Sequence, residues 1–131
     1  STPIAVKTKL EVIVQHPCIE TWLLGNKRNC PRNPVEKELS SCLKFYDIIN
    51  EDPELMGKPP QWNGTIANYH EYFLKNIFRD GANGKLTYSK TNPGEAAKPY
   101  YWDAMVERYT NDNHISSFGL FLHFLKSIGS I

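Results

Sequence analysis

Polarity changes period within the stretch 9–28, and the rest of the chain is organised around that change. Leu10, Val12 and Val14 alternate with Glu11, Ile13 and Gln15, mostly β-branched residues at a period of two. That pattern predicts a short buried strand over about 10–15. His16-Pro17 ends it, since proline has no N–H to give a strand ladder. Pro17 suits the first turn of a helix, so a short helix is predicted from Cys18 to Leu24. Gly25-Asn26 then stand where a left-handed cap would close it.

Further along, the period is that of helices. Val35, Leu39, Cys42, Leu43, Tyr46 and Ile49 recur at helical spacing, which predicts an amphipathic helix to about Ile49. Asn33 stands as its cap, Pro34 in its first position and Glu36 where a capping box needs an acid. Residues 50–64 are broken by prolines and glycines and read as a loop pinned by Leu55, Met56 and Trp62. Thr65 caps a helix over 66–78 whose apolar face holds Tyr69, His70, Phe73 and Ile77. Leu86 and Tyr88 alternate with polar neighbours and allow a second extended segment at 86–89. Pro99 starts a fourth helix, with Trp102, Met105, Val106 and Tyr109 as its stripe. A fifth, 115–128, is apolar over most of its circumference and must bury itself in the core or against a partner. The fold class predicted is α+β, predominantly helical, with about five helices in one domain spanning 1–131.

The formal net charge of +1 argues against a strongly basic nucleic-acid binder and leaves only a local patch. Lys27, Arg28 and Arg32 form the clearest cationic cluster, in a loop. Asp47, Glu51, Asp52 and Glu54 read as a solvated acidic turn rather than a divalent-metal site. The three cysteines, Cys18, Cys30 and Cys42, are odd in number and widely spaced, which predicts free thiols and a reducing, cytoplasmic compartment. No apolar run reaches the length of a membrane span. His70 on an apolar face reads as a hydrogen-bonded core histidine, and no second histidine makes a zinc motif with it.

Glu20 is the chemically informative position. At about 100° per residue it lies between Leu23 and Leu24, so its carboxylate must find a donor, a cation or a proton. The phrase HPCIETWLLGN around it resembles the N-P-x-x-E-x-W-L-L signature of RloB-like proteins and a related Toprim-like family of bacteria and phages. Tyr88-Ser89-Lys90 resembles the Y-x-K segment of those families, and 115–128 resembles their last helix. The glutamate and D-x-D pair that hold Mg²⁺ in the Toprim pattern do not stand ahead of Leu10. The resemblance therefore implies the C-terminal part of such an α/β protein, a fragment not catalytic alone. It implies Mg²⁺-dependent, nuclease-type chemistry on nucleic acid in phage defence, with Glu20 as catalytic residue and Mg²⁺ ligand and Lys90 meeting phosphate. Lys27, Arg28 and Arg32 are then the expected nucleic-acid contacts. The alternative is a non-catalytic helical module that docks nucleic acid, a protein partner or a second copy, through the same loop or the last helix.

Overall fold

A computed structural model describes residues 18–81, 88–89 and 91–129. Among them run five α-helices: α1 (Ile19–Leu23), α2 (Lys37–Phe45), α3 (Ile66–Gly81), α4 (Pro99–Asp112) and α5 (Ser116–Ser127). Short 3-10 turns at Lys27–Asn29, Pro53–Leu55 and Gly94–Ala97 join them. No strand occurs among the described residues, so the α+β class is corrected to a helical one. The segment 10–15 predicted as a strand lies outside the described residues. Of 86–89, only Tyr88 and Ser89 are described, and both are irregular. An alternating pattern over so few residues states that one side is buried, not that a partner strand exists to pair with it.

The core is built on α1. This helix packs on α3, on the Pro53–Leu55 turn and on α4, while α2 covers α3 and α5 covers α4. Trp22, Leu39, Phe73, Leu74, Ile77, Phe78, Met105 and Phe118 are all essentially inaccessible to solvent. Trp22 meets Phe118 edge-on at 5.5 Å and stacks on Phe121 at 5.3 Å between ring centres, so α5 is fastened to α1 through aromatic contact.

Local chemistry explains where the helices start and stop. Thr65 and Asn68 cap α3 reciprocally: the Asn68 N–H donates to Thr65 Oγ1 at 3.0 Å, and the Thr65 N–H to Asn68 Oδ1 at 3.4 Å. Pro99 occupies the first turn of α4, where its missing N–H costs nothing. Asn113 closes α4 in the left-handed conformation, φ 58°, and does not begin the next helix. The helix expected to run to Ile49 ends at Phe45, because Tyr46 turns extended and its hydroxyl donates to the Asp52 carbonyl. Its start also differs from the expected capping box: Glu36 holds the cap position and gives its N–H to Asp80 Oδ2 at 2.6 Å. Gly25 is not in a left-handed conformation either. A Cβ there would stand 2.8 Å from Ile115 Cδ1 and 2.9 Å from the Trp22 carbonyl, so glycine permits close approach.

Candidate functional site

Helix α1 is only five residues long, too short to be stable in isolation. Bonds from every direction hold it. Glu20, Thr21, Trp22 and Leu23 are all buried. The Tyr88 O–H donates to Glu20 Oε2 at 2.6 Å. Thr21 Oγ1 stands 2.5 Å from His70 Nδ1. The Trp22 indole N–H donates to Ser117 Oγ at 2.7 Å, and the Tyr101 O–H to the Leu23 carbonyl at 2.7 Å. Arg108 adds a guanidinium N–H to the Gly25 carbonyl at 3.2 Å. These partners come from α3, α4, α5 and the 88–89 segment.

Glu20 is fully buried, as its place between Leu23 and Leu24 predicts. Tyr88 reaches it from a ring stacked on Phe78, whose other neighbour at 5.8 Å is Tyr101. The Tyr88 phenol is held well above its ordinary range, first by burial and then by its bond to the Glu20 carboxylate. An apolar pocket of about 350 Å³ adjoins the pair, walled by Ile19, Leu23, Tyr88, Pro93, Ala96 and Trp102. That lining suits a nonpolar group and not a phosphate.

His70 resolves into one protonation pattern. Its Nε2 lies 2.9 Å from the Met56 carbonyl, which can only accept, so Nε2 carries the proton. Burial pulls the imidazole pKa down, against the opposing pull of the Met56 and Gly57 carbonyls and the Glu20 charge, so the ring is neutral. Nδ1 then accepts from the Thr21 hydroxyl. The Thr21 oxygen, its own proton given to His70, accepts from the half-buried Cys18 thiol at 3.3 Å.

The cationic loop is largely neutralised from within. Lys27 pairs with Asp112 at 2.8 Å and Arg28 with Glu107 at 2.8 Å. Only Arg32, exposed, makes no ion pair among the described residues. Lys90 lies outside the described residues. As for Mg²⁺, Glu20 is sealed from solvent behind Tyr88, and the described residues contain no cluster of three or more His, Cys, Asp or Glu able to hold a metal. Among the described residues, Glu20 therefore has no ligand set for a Mg²⁺ ion.

Two features escaped sequence reasoning. Asp52 and Glu54 are not merely a solvated turn: Asp52 Oδ1 accepts the Ile115 N–H at 3.0 Å, and Glu54 Oε1 accepts both the N–H and O–H of Ser117 at 2.7 Å. Two acids thus hold the start of α5, where the helix dipole favours negative charge. Arg108 is buried to 1 % exposure and donates to the carbonyls of Ile48, Glu51 at 2.9 Å and Gly25, and to His114 Nδ1 at 2.9 Å.

No family model, curated protein or solved structure matches the chain. No helix among the described residues is long and apolar enough to cross a membrane.

Proposed function

We propose that this chain is the non-catalytic helical part of a Toprim-like, nucleic-acid-processing protein, working in the cytoplasm. What supports the reading is the Glu20–Tyr88 bond. The glutamate of the HPCIETWLLGN stretch and the tyrosine of the Tyr-x-Lys stretch stand 68 positions apart, yet they meet at 2.6 Å in the core. Glu20 acts as a positioning residue: a buried carboxylate that clasps Tyr88 and so anchors the segment continuing to Lys90. Lys90 and Arg32 are the cations that meet phosphate, because Lys27 and Arg28 are already committed to acids. The three cysteines are free thiols, which fits the cytoplasmic assignment.

The test is fluorescence anisotropy of labelled single- and double-stranded DNA and RNA against the whole chain over a salt series. Binding is expected with a shallow salt dependence, about one or two phosphates' worth of counterion release. Lys90→Ala should weaken it at unchanged helicity, Tyr88→Phe should weaken it without changing the salt slope, and Mg²⁺ should bring no cleavage. Absence of binding by the wild-type chain, or an unaltered affinity in Lys90→Ala, refutes the assignment.

A second reading, a helical module that docks a second copy, is favoured by one observation. On α5 and just past it, Leu120 is 60 % and Ile128 46 % exposed. Sedimentation equilibrium on the wild type and on Leu120→Glu distinguishes the two. A dimer that the substitution dissociates supports docking through α5, and a monomer in both removes it.

A further inference from the structure

We propose that the groove between α2, α3 and the 59–62 loop binds the quaternary ammonium group of a small molecule of the choline class. The pocket measures about 250 Å³ and lies away from Glu20 and Tyr88. Its walls are aromatic: Phe45 from α2, Trp62 from the loop, and Tyr69 and Tyr72 one turn apart on α3. Trp62 lies 5.2 Å from Tyr69 and 5.0 Å from Tyr72 between ring centres, and Phe45 meets Tyr69 edge-on at 5.5 Å. These contacts fix the rings before any ligand arrives, so little ordering is needed on binding. Pro59 and Pro60 also line it and stiffen the 59–62 loop.

The charge pattern selects the ligand. Aromatic faces are negative, and a cation within about 6 Å of a ring centre is attracted to them. The lining contains one carboxylate, Glu38 in the first turn of α2, with Ser41, Cys42 and Gln61 beside the rings, and no lysine, arginine or histidine. Burial is the main cause that raises the Tyr72 phenol and the Cys42 thiol; the Glu38 carboxylate adds to both, and Arg79 acts the other way on Tyr72. An anion finds no cation in this lining. A primary ammonium would draw on the acceptors of the lining, the Glu38 carboxylate, the Ser41 hydroxyl and the Gln61 amide oxygen, more than on the rings. A methylated ammonium carries its charge under an apolar surface, is weakly hydrated, and matches both the rings and the carboxylate.

The test is a titration of the whole ¹⁵N-labelled chain with choline, tetramethylammonium and the neutral isostere 3,3-dimethylbutan-1-ol, followed by NMR. The indole N–H of Trp62, which is buried without a hydrogen-bond partner, is the reporter, assigned by its loss in Trp62→Phe. Saturable shifts are expected with choline and tetramethylammonium, and about tenfold weaker ones with the isostere. Glu38→Gln, at an exposed position, should weaken the cations several-fold and leave the isostere unchanged. Phe45→Ala, also at an exposed ring, should weaken both. Equal binding of choline and its isostere refutes the proposal by making the groove merely apolar. It is equally refuted if choline causes no shift, or if a proline-rich peptide saturates the Trp62 signal where choline does not.

Discussion

The Glu20–Tyr88 bond makes a quantitative claim that a double-mutant cycle can check. Tyr88→Phe removes one hydroxyl and keeps the ring stacked on Phe78 at 6.0 Å, so lost packing contributes little. The bond is short, 2.6 Å, buried at both ends and charge-assisted. A hydrogen bond of that kind contributes about 1.5–3 kcal/mol, and the carboxylate that loses the donor stays in the core. Against a total stability of about 5–15 kcal/mol for a domain of this size, the middle of the bond's range shifts the folding equilibrium roughly 45-fold. Glu20→Gln keeps an acceptor for Tyr88 but removes the charge and adds two buried donors, so it costs a comparable amount by another route. Combining the two should cost less than their sum, by a coupling of at least about 1 kcal/mol. Urea unfolding followed by far-ultraviolet circular dichroism measures each corner, and the midpoint should move at constant slope. The pH dependence adds a second arm. The Tyr88 pKa is raised in the folded state, so its contribution is complete below the ordinary phenol value of 10.0 and is lost as pH rises through the higher folded value. A Tyr88→Phe variant within about 0.5 kcal/mol of wild type, or additive single effects, refutes the clasp.

Arg108→Met should cost about 3–5 kcal/mol in the same assay, because three carbonyls in two separate segments lose their donor; a loss under about 1 kcal/mol contradicts the role given to this residue. Because the His70 pKa is lowered by burial, the unfolded chain binds a proton more readily there, so stability falls as pH drops below about 6.5 towards the folded value. That loss, at most about 1.4 kcal/mol per pH unit from this group, should be absent from the pH profile of His70→Gln and so stand out in the difference curve between wild type and that variant. Gly119→Ala would bring a Cβ to 2.1 Å from Tyr109 Cε1, and should lower stability by about 1–3 kcal/mol, partly recovered on adding Tyr109→Ala. In the native protein Cys18 should react with a thiol reagent well before Cys30 and Cys42, since burial pushes the Cys30 thiol up to about 12 and raises that of Cys42; simultaneous reaction of all three below the unfolding midpoint contradicts this.

What the sequence made legible is what hydrophobic periodicity controls. The α3 and α5 helices, the buried place of Glu20 and the core histidine all follow from apolar spacing; of the residues expected to pin the 50–64 loop, Met56 is buried and Trp62 partly so, whereas Leu55 is 77 % exposed. Where the buried face contains a charge, the same logic points the wrong way. The stripe expected on α4 was Trp102, Met105, Val106 and Tyr109, whereas the buried set is Tyr101, Ala104, Met105 and Arg108. A pattern reading sends an arginine to solvent. Beside its near neighbours His114 and Asp112, three carbonyls, at Gly25, Ile48 and Glu51, draw it inward, and those depend on turns that lie 57 to 83 residues away in sequence. Asp52 and Glu54 were misjudged for the same reason: an acid looks solvated until the N-terminus it caps is known to be nearby.

Arg108 and Glu20 together account for how so short a helix can organise the domain. A five-residue helix gains little from its own backbone bonds, and its ends expose carbonyls that a dry core cannot leave unpaired. Here the Leu23 carbonyl is met by Tyr101 and the Gly25 carbonyl by Arg108, both from α4, while Glu20 and Thr21 are met from 88 and from α3. Each of these bonds is directional, so the apolar residues beside them, Trp22 and Leu23, can settle in one arrangement only. Apolar burial supplies the driving force for α1 to be inside, and the polar bonds select its orientation. It follows that substitutions at Tyr88, Tyr101 and Arg108 should act cooperatively. Each removes a fixed direction from α1 or from the turn that closes it at Gly25, and a pair of them should loosen α1 as a unit where one alone only strains it.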